Sequence, residues 1–159
     1  MNNSLTEVHP ELVLEWSEKN LPLTPDDITF GSNKKVWWRG TCGGTLYQDL
    51  VKEGGFESHS GSRYPRNEGW HRVDFEPRSR FADIFGKSSV MVNSYHHQGV
   101  RLPGKGCEIK GKSEDGVPEA IEVMNHPFAL AVQWHPEMMF DSEEQVKLLA
   151  AFVDAAKKF

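Results

Sequence analysis

In "AVQWHPE" (131–137), His135 and Glu137 stand two residues apart, where an apolar run meets a proline. An imidazole beside a carboxylate can take a proton from a thiol or hydroxyl, while the carboxylate fixes its tautomer and steadies the cation that forms. The thiols available are Cys42 and Cys107, the chain's two cysteines. Cys42 lies in "GTCGG" (40–44), whose small flanking residues have the look of a sharp strand-to-helix turn that exposes a nucleophile. Cys107 begins "CEIKGKS" and reads as a small packed strand residue. A polar cluster, Ser94, Tyr95, His96 and His97, closes the apolar run of "SVMVNSYHHQ" and offers N–H and hydroxyl donors to an anion. On residue types alone, His135 reads equally well as a satisfied structural histidine. His96 and His97 point to opposite faces of an extended chain, so a shared metal is not expected of them.

These residues need elements to hold them. Proline cannot continue a ladder, so the strand in "FALAVQW" must end at His135, with its tip at a cleft. That run is nearly all apolar, as a strand buried on both faces would be. "SVMVNSY", "CEIKGKS" and "EAIEVM" read as further strands. "DSEEQVKLLAAFVDAAKKF" is the clearest helix: Asp141 can cap it with Glu144 in the capping-box position, and Val146, Leu149, Ala150, Val153 and Ala156 make one apolar stripe. Residues 54–80 read as a long loop rich in Gly, Ser, Arg and Pro, a length usually functional or disordered. Before them come an amphipathic turn or two around Leu12, Val13 and Trp16, a Thr-Pro-Asp-Asp turn and a short strand, Val36 to Trp38.

A chain of 159 residues with 38% hydrophobic and 26% charged residues can bury a core as one globular unit. Its net charge of −5 disfavours a broad grip on nucleic acid or an anionic membrane. "NKKVWWR" interleaves cations with indoles, but those rings are read as core, so no nucleic-acid partner is expected. Two cysteines are too few for a disulfide scaffold or a four-thiolate zinc site, and they fit a reducing cytoplasm. No leader pattern and no apolar run of about 20 residues is visible, so no membrane association is expected.

From Gly43 onward the chain resembles the class I glutamine amidotransferases, in particular the gamma-glutamyl-gamma-aminobutyrate hydrolase branch. The resemblance rests on "GGTLYQDL" (43–50), "VNSYHHQGV" (92–100), "SEDGVPEAIE" (113–122) and "VQWHPE" (132–137), in the family's order. It implies hydrolysis of a small-molecule gamma-glutamyl amide by a Cys-His-Glu triad, with release of glutamate and no cofactor. His135 would be the general base, Glu137 its orienting carboxylate, and Ser94, Tyr95 and His96 the substrate-binding loop. Glu119 would lie near the same rim. The family's nucleophile sits on a tight turn that launches a helix of about three turns, whose N-terminus lowers the thiol pKa. Here Cys42 touches Gly43 directly, and that helix has no residues.

A second resemblance covers "HPELVLEWSEKNLPLTPDDITFGSNKKVWWRGTCG" (9–43), which is similar to the opening of a treble-clef zinc-ribbon repeat. In that fold Cys42 would be the first zinc ligand, but no histidine and C-x-x-C pair follow at the family's spacing. His59 and His71 lie too far on to complete the set. One thiolate does not hold zinc, so no metal is expected. Three readings of Cys42 follow: a seam between two pieces, a compacted nucleophile elbow, or a residual metal ligand. The missing helix favours the seam.

The expected architecture is α/β: a partial class I amidotransferase-like mixed sheet with a C-terminal helix (43–159), and a small zinc-ribbon-like annex (1–42). A half sheet exposes an edge and an apolar face, which the annex or a homodimer would cover. Two functions follow: a gamma-glutamyl hydrolase with Cys42 as nucleophile, or an inactive amidotransferase-like domain acting as a binding module.

Overall fold

A computed structural model describes residues 4–8, 13, 16, 18–27, 43–61 and 64–158. Cys42, the expected strand Val36 to Trp38 and most of the zinc-ribbon-like segment lie outside the described residues. Near the N-terminus are a short helix α1 (Leu5–Val8) and single 3₁₀ turns at Glu18–Asn20 and Pro25–Asp27. The last is the expected Thr-Pro-Asp-Asp turn: the Asp27 carboxylate accepts from the Thr24 N–H and hydroxyl, both at 2.8 Å.

The rest is an α/β unit built on a five-stranded sheet with order β3-β2-β5-β6-β7. Its strands are β2 (His71–Phe75), β3 (Ser89–Val92), β5 (Cys107–Ser113), β6 (Pro118–Val123) and β7 (Leu130–Val132). Every pairing within it is antiparallel. Two further strands, β1 (Thr45–Tyr47) and β4 (Gly99–Leu102), pair with each other as a separate antiparallel ribbon. That ribbon joins two of the quoted motifs. Leu50 N–H donates to the His97 carbonyl at 2.8 Å, and the Gln98 amide donates to Gln48 at 2.7 Å.

Helix α2 (Arg80–Phe85) starts at Ser79, whose hydroxyl accepts from the Ala82 N–H, and stops at Gly86 in the left-handed region. It lays Phe81 and Phe85 against Phe75, with ring centroids 5.6 and 5.2 Å apart. Around them Val73, Val90, Val92, Ala120, Trp134 and Leu148 complete one core. Each fully buried phenylalanine contributes roughly 1.5–3 kcal/mol through its burial.

Three expectations change here. The long loop contains β2: His-Arg-Val-Asp-Phe alternates, with Val73 and Phe75 buried and Arg72 paired to Asp74 at 3.0 Å on the outer face. Strand β7 is a sheet edge rather than doubly buried, and Ala131 is exposed. The final helix, α3 (Glu143–Ala156), has Ser142 rather than Asp141 at its N-cap position, with no side-chain capping hydrogen bond, and its buried residues are Gln145 and Leu148. The more apolar stripe, with Val146, Leu149 and Val153, faces outward. The Trp134 indole N–H, which donates to Gln145 at 2.9 Å inside the core, holds this orientation.

Candidate functional site

Strand β7 and the residues after it carry Trp134 into the core and bring the chain to His135, where Pro136 opens a single 3₁₀ turn (Pro136–Met138). The turn folds Glu137 back so that its carboxylate lies 2.9 Å from His135 Nδ1, leaving Nε2 as the ring's other face. Partial burial pushes the Glu137 carboxyl up, but the hydrogen bond and charge of His135 outweigh it and hold the group below its ordinary value. The pair is solvent-accessible, with His135 39% and Glu137 61% exposed.

Asn93, at the end of β3 and fully buried, fixes the backbone of His135. Its side-chain oxygen accepts from the His135 N–H at 2.8 Å, and its amide donates to the His135 carbonyl at 3.0 Å and to the Arg66 carbonyl at 2.8 Å. Asparagine is suited to this because one side chain both accepts and donates. Sequence reasoning passed over it in favour of the three residues that follow. The available signal was its place, a turn-forming amide directly after an apolar strand.

Of those three, Tyr95 stands beside the pair, its ring centroid 6.3 Å from that of His135. Its hydroxyl donates to the Tyr64 carbonyl at 2.8 Å, and the Arg66 guanidinium lies 5.5 Å over its ring. Ser94 and His96 turn the other way, into a buried cluster of residues far apart in sequence. Ser94 Oγ donates to the His59 carbonyl at 2.9 Å and is fully buried. His96 Nδ1 lies 2.8 Å from the Gln98 carbonyl, and its Nε2 lies 3.3 Å from Glu119 Oε1. His97 is exposed, so the two adjacent histidines do point apart.

The cluster also contains His59 and His71, at 3.2 and 4.0 Å from the same Glu119 oxygen. Glu119 is thus buried behind the loop rather than at its rim. Asp115 binds His59 Nε2 at 3.2 Å from the far side and is held by the Ser113 hydroxyl and the Glu57 N–H. Burial drives the His71 imidazole down to about 4, against the pull of the Glu119 charge. Burial also lowers His59 and raises Glu119, but the pull of each on the other across 3.2 Å wins, leaving His59 raised and Glu119 lowered. Gly61, at φ +54°, permits the packing, since a Cβ there would sit 1.9 Å from the Ser94 carbonyl oxygen.

The sequence model of the peptidase C26 family matches residues 40–137, and that of a probable treble clef zinc finger domain matches residues 12–54. Two relatives are named "putative glutamine amidotransferase". One, from Schizosaccharomyces pombe, is 31% identical over 94% of this chain and 66% of its own. The other, from Mycobacterium tuberculosis, is 40% identical over 74% of this chain and 36% of its own. The gamma-glutamyl-gamma-aminobutyrate hydrolase of Escherichia coli is 41% identical over 42% of this chain and 27% of its own. The chain therefore spans between 27% and 66% of the length of these relatives. A solved glutamine amidotransferase from Thermotoga maritima, 19% identical, superposes over 69% of this chain and 44% of its own with a TM-score of 0.36, a likeness too slight to bear on function. The zinc-finger match does not fit the donors present: residues 12–54 contain Cys42 as their one cysteine and no histidine. A single thiolate cannot close a zinc site.

Proposed function

The chain belongs to the peptidase C26 family of class I glutamine amidotransferase-like proteins, and from that premise we propose that it hydrolyses the side-chain amide of a small-molecule gamma-glutamyl substrate, in a reducing cytoplasm that keeps its thiol free. The observation that carries the reading is the 2.9 Å contact between His135 Nδ1 and Glu137, at the end of a strand and open to solvent. With Nδ1 bound to the carboxylate, Nε2 is the base. It takes the proton of the Cys42 thiol, and the thiolate attacks the amide carbonyl. As the C–N bond breaks, His135 returns the proton to the departing amine, leaving a thioester. Water, deprotonated by the same nitrogen, then releases glutamate and restores the thiol. Arg66, whose guanidinium lies over the Tyr95 ring beside His135, offers a cation to the substrate's carboxylate.

The mechanism requires Cys42 Sγ within hydrogen-bond reach of His135 Nε2. We place a join near residue 42 between a zinc-ribbon-like segment (1–42) and the amidotransferase-like part (43–159). The purified chain, given gamma-glutamyl-gamma-aminobutyrate or glutamine, releases glutamate, and Cys42→Ala and His135→Ala each abolish release. Equal background in all three proteins refutes the hydrolase reading. It would leave a catalytically inactive domain acting as a binding module, which the missing residues between Cys42 and Gly43 favour.

A further inference from the structure

The buried cluster behind Ser94 is not needed for the hydrolysis, and its donors do not satisfy one another. His96 Nδ1 faces a carbonyl, which only accepts, so Nδ1 carries the proton and the neutral ring turns a lone pair on Nε2 toward Glu119. His59 Nε2 faces the Asp115 carboxylate, so in its neutral form His59 turns a lone pair on Nδ1 toward Glu119 at 3.2 Å, with the Ser94 hydroxyl 3.3 Å away on the same side. Among the described residues, neither Glu119 oxygen and neither Nε2 of His71 or His96 has a hydrogen-bond partner. Glu119 has no solvent exposure at all. Two imidazole lone pairs, the unpartnered Nε2 of His71 and a buried carboxylate thus meet in one place, an arrangement that costs free energy unless a cation stands between them.

We infer that His59, His71 and Glu119, joined by His96 after a small shift of its ring, form a binding site for one divalent transition-metal ion, zinc in the first instance. The ligand atoms of His59, His71 and Glu119 lie within 4.8 Å of one another. Measured from Glu119 Oε1, the three histidine nitrogens are at 3.2, 4.0 and 3.3 Å. Four ligands at zinc bond lengths in a tetrahedron stand about 3.4 Å apart. Three nitrogens and one oxygen suit zinc better than calcium or magnesium, which take oxygen. The outer contacts are those that ligating histidines use: Asp115 behind His59 and the Gln98 carbonyl behind His96. A cleft of about 230 Å³ lined by His59, His71 and Asp115 provides the way in. With four protein ligands and a buried centre, the ion is structural, tying the 56–61 loop, β2, β6 and the loop after β3 together.

The site is separate from the proposed hydrolysis and its test does not use activity. The full-length chain, freed of any affinity tag and stripped with chelator, is titrated with zinc and with cobalt. One equivalent binds, Tm rises with metal concentration, and the cobalt form shows a tetrahedral visible spectrum without the thiolate charge-transfer band that Cys42 ligation would give. His71→Ala and Glu119→Gln each weaken binding by more than 100-fold, and Asp115→Asn by roughly 10–100-fold. Cys42→Ser leaves it unchanged. If the folded parent takes up neither metal stoichiometrically, or its cobalt form carries the thiolate band, the site does not exist, whatever the variants do.

Discussion

At the scale of single residues, the site depends on groups that never touch a substrate. Asn93 holds both backbone polar groups of His135; Asn93→Ala leaves the His135 N–H without a partner, while the carbonyl keeps the Met138 N–H, and costs about 1–3 kcal/mol in thermal or urea unfolding. Asn93→Asp keeps an acceptor for the His135 N–H but sets a buried carboxylate against the Arg66 and His135 carbonyl oxygens, so it costs at least as much as Asn93→Ala. Gly61→Ala forces a Cβ into the Ser94 carbonyl at a positive φ, displacing the loop that carries His59. It lowers Tm and, in the zinc titration, weakens binding, whereas alanine at the nearby exposed Ser60 does neither. Neither Asn93 nor Gly61 was legible as important. Their value lies in whose backbone they meet across 42 and 33 residues of chain.

Elements show a different division. Helix α3 was plain in the sequence from its length and periodicity, but its inward face was not. Periodicity identifies an apolar stripe without saying what lies opposite it, and here the indole of Trp134 selects Gln145 and Leu148 instead. Leu148→Ala therefore costs about 2–5 kcal/mol, while Leu149→Ser, Phe152→Ser or Val153→Ser shifts stability by no more than about 0.5 kcal/mol each. Chemical denaturation of the four variants distinguishes this orientation from its opposite. Helix α3 is also tied to the turn after α2 by an ion pair between Glu144 and Lys87. The hydrogen bond from Lys87, with help from the helix backbone and Ser142, lowers the Glu144 carboxyl from 4.5 to about 2. A carboxylate with a depressed folded-state pKa stabilises fully above its unfolded value and loses that contribution as pH falls through the folded one. The Tm difference between the parent and Glu144→Gln is thus constant above pH 4.5 and vanishes as pH falls toward about 2. Strand β2 was missed because glycine, arginine and proline on either side masked a five-residue alternation that only its pairing with β3 and β5 makes decisive.

For the molecule as a whole, the outward apolar face of α3 and the edge position of β7 belong to a chain that spans 66% of the length of its Schizosaccharomyces pombe relative. Among the described residues no helix is long and apolar enough to cross a membrane. The sequence by itself determined the family, through four short motifs in order, and the neighbouring of His135 and Glu137, because the proline between them opens a local turn whatever surrounds it. It also determined most strands, since their apolar runs are local. The convergence of His59, His71, His96 and Glu119 was decided by tertiary structure alone. Each comes from a different segment, and histidine has no periodicity that marks it as buried. Only sheet order β3-β2-β5-β6 and the loop seated by Gly61 bring these four side chains together.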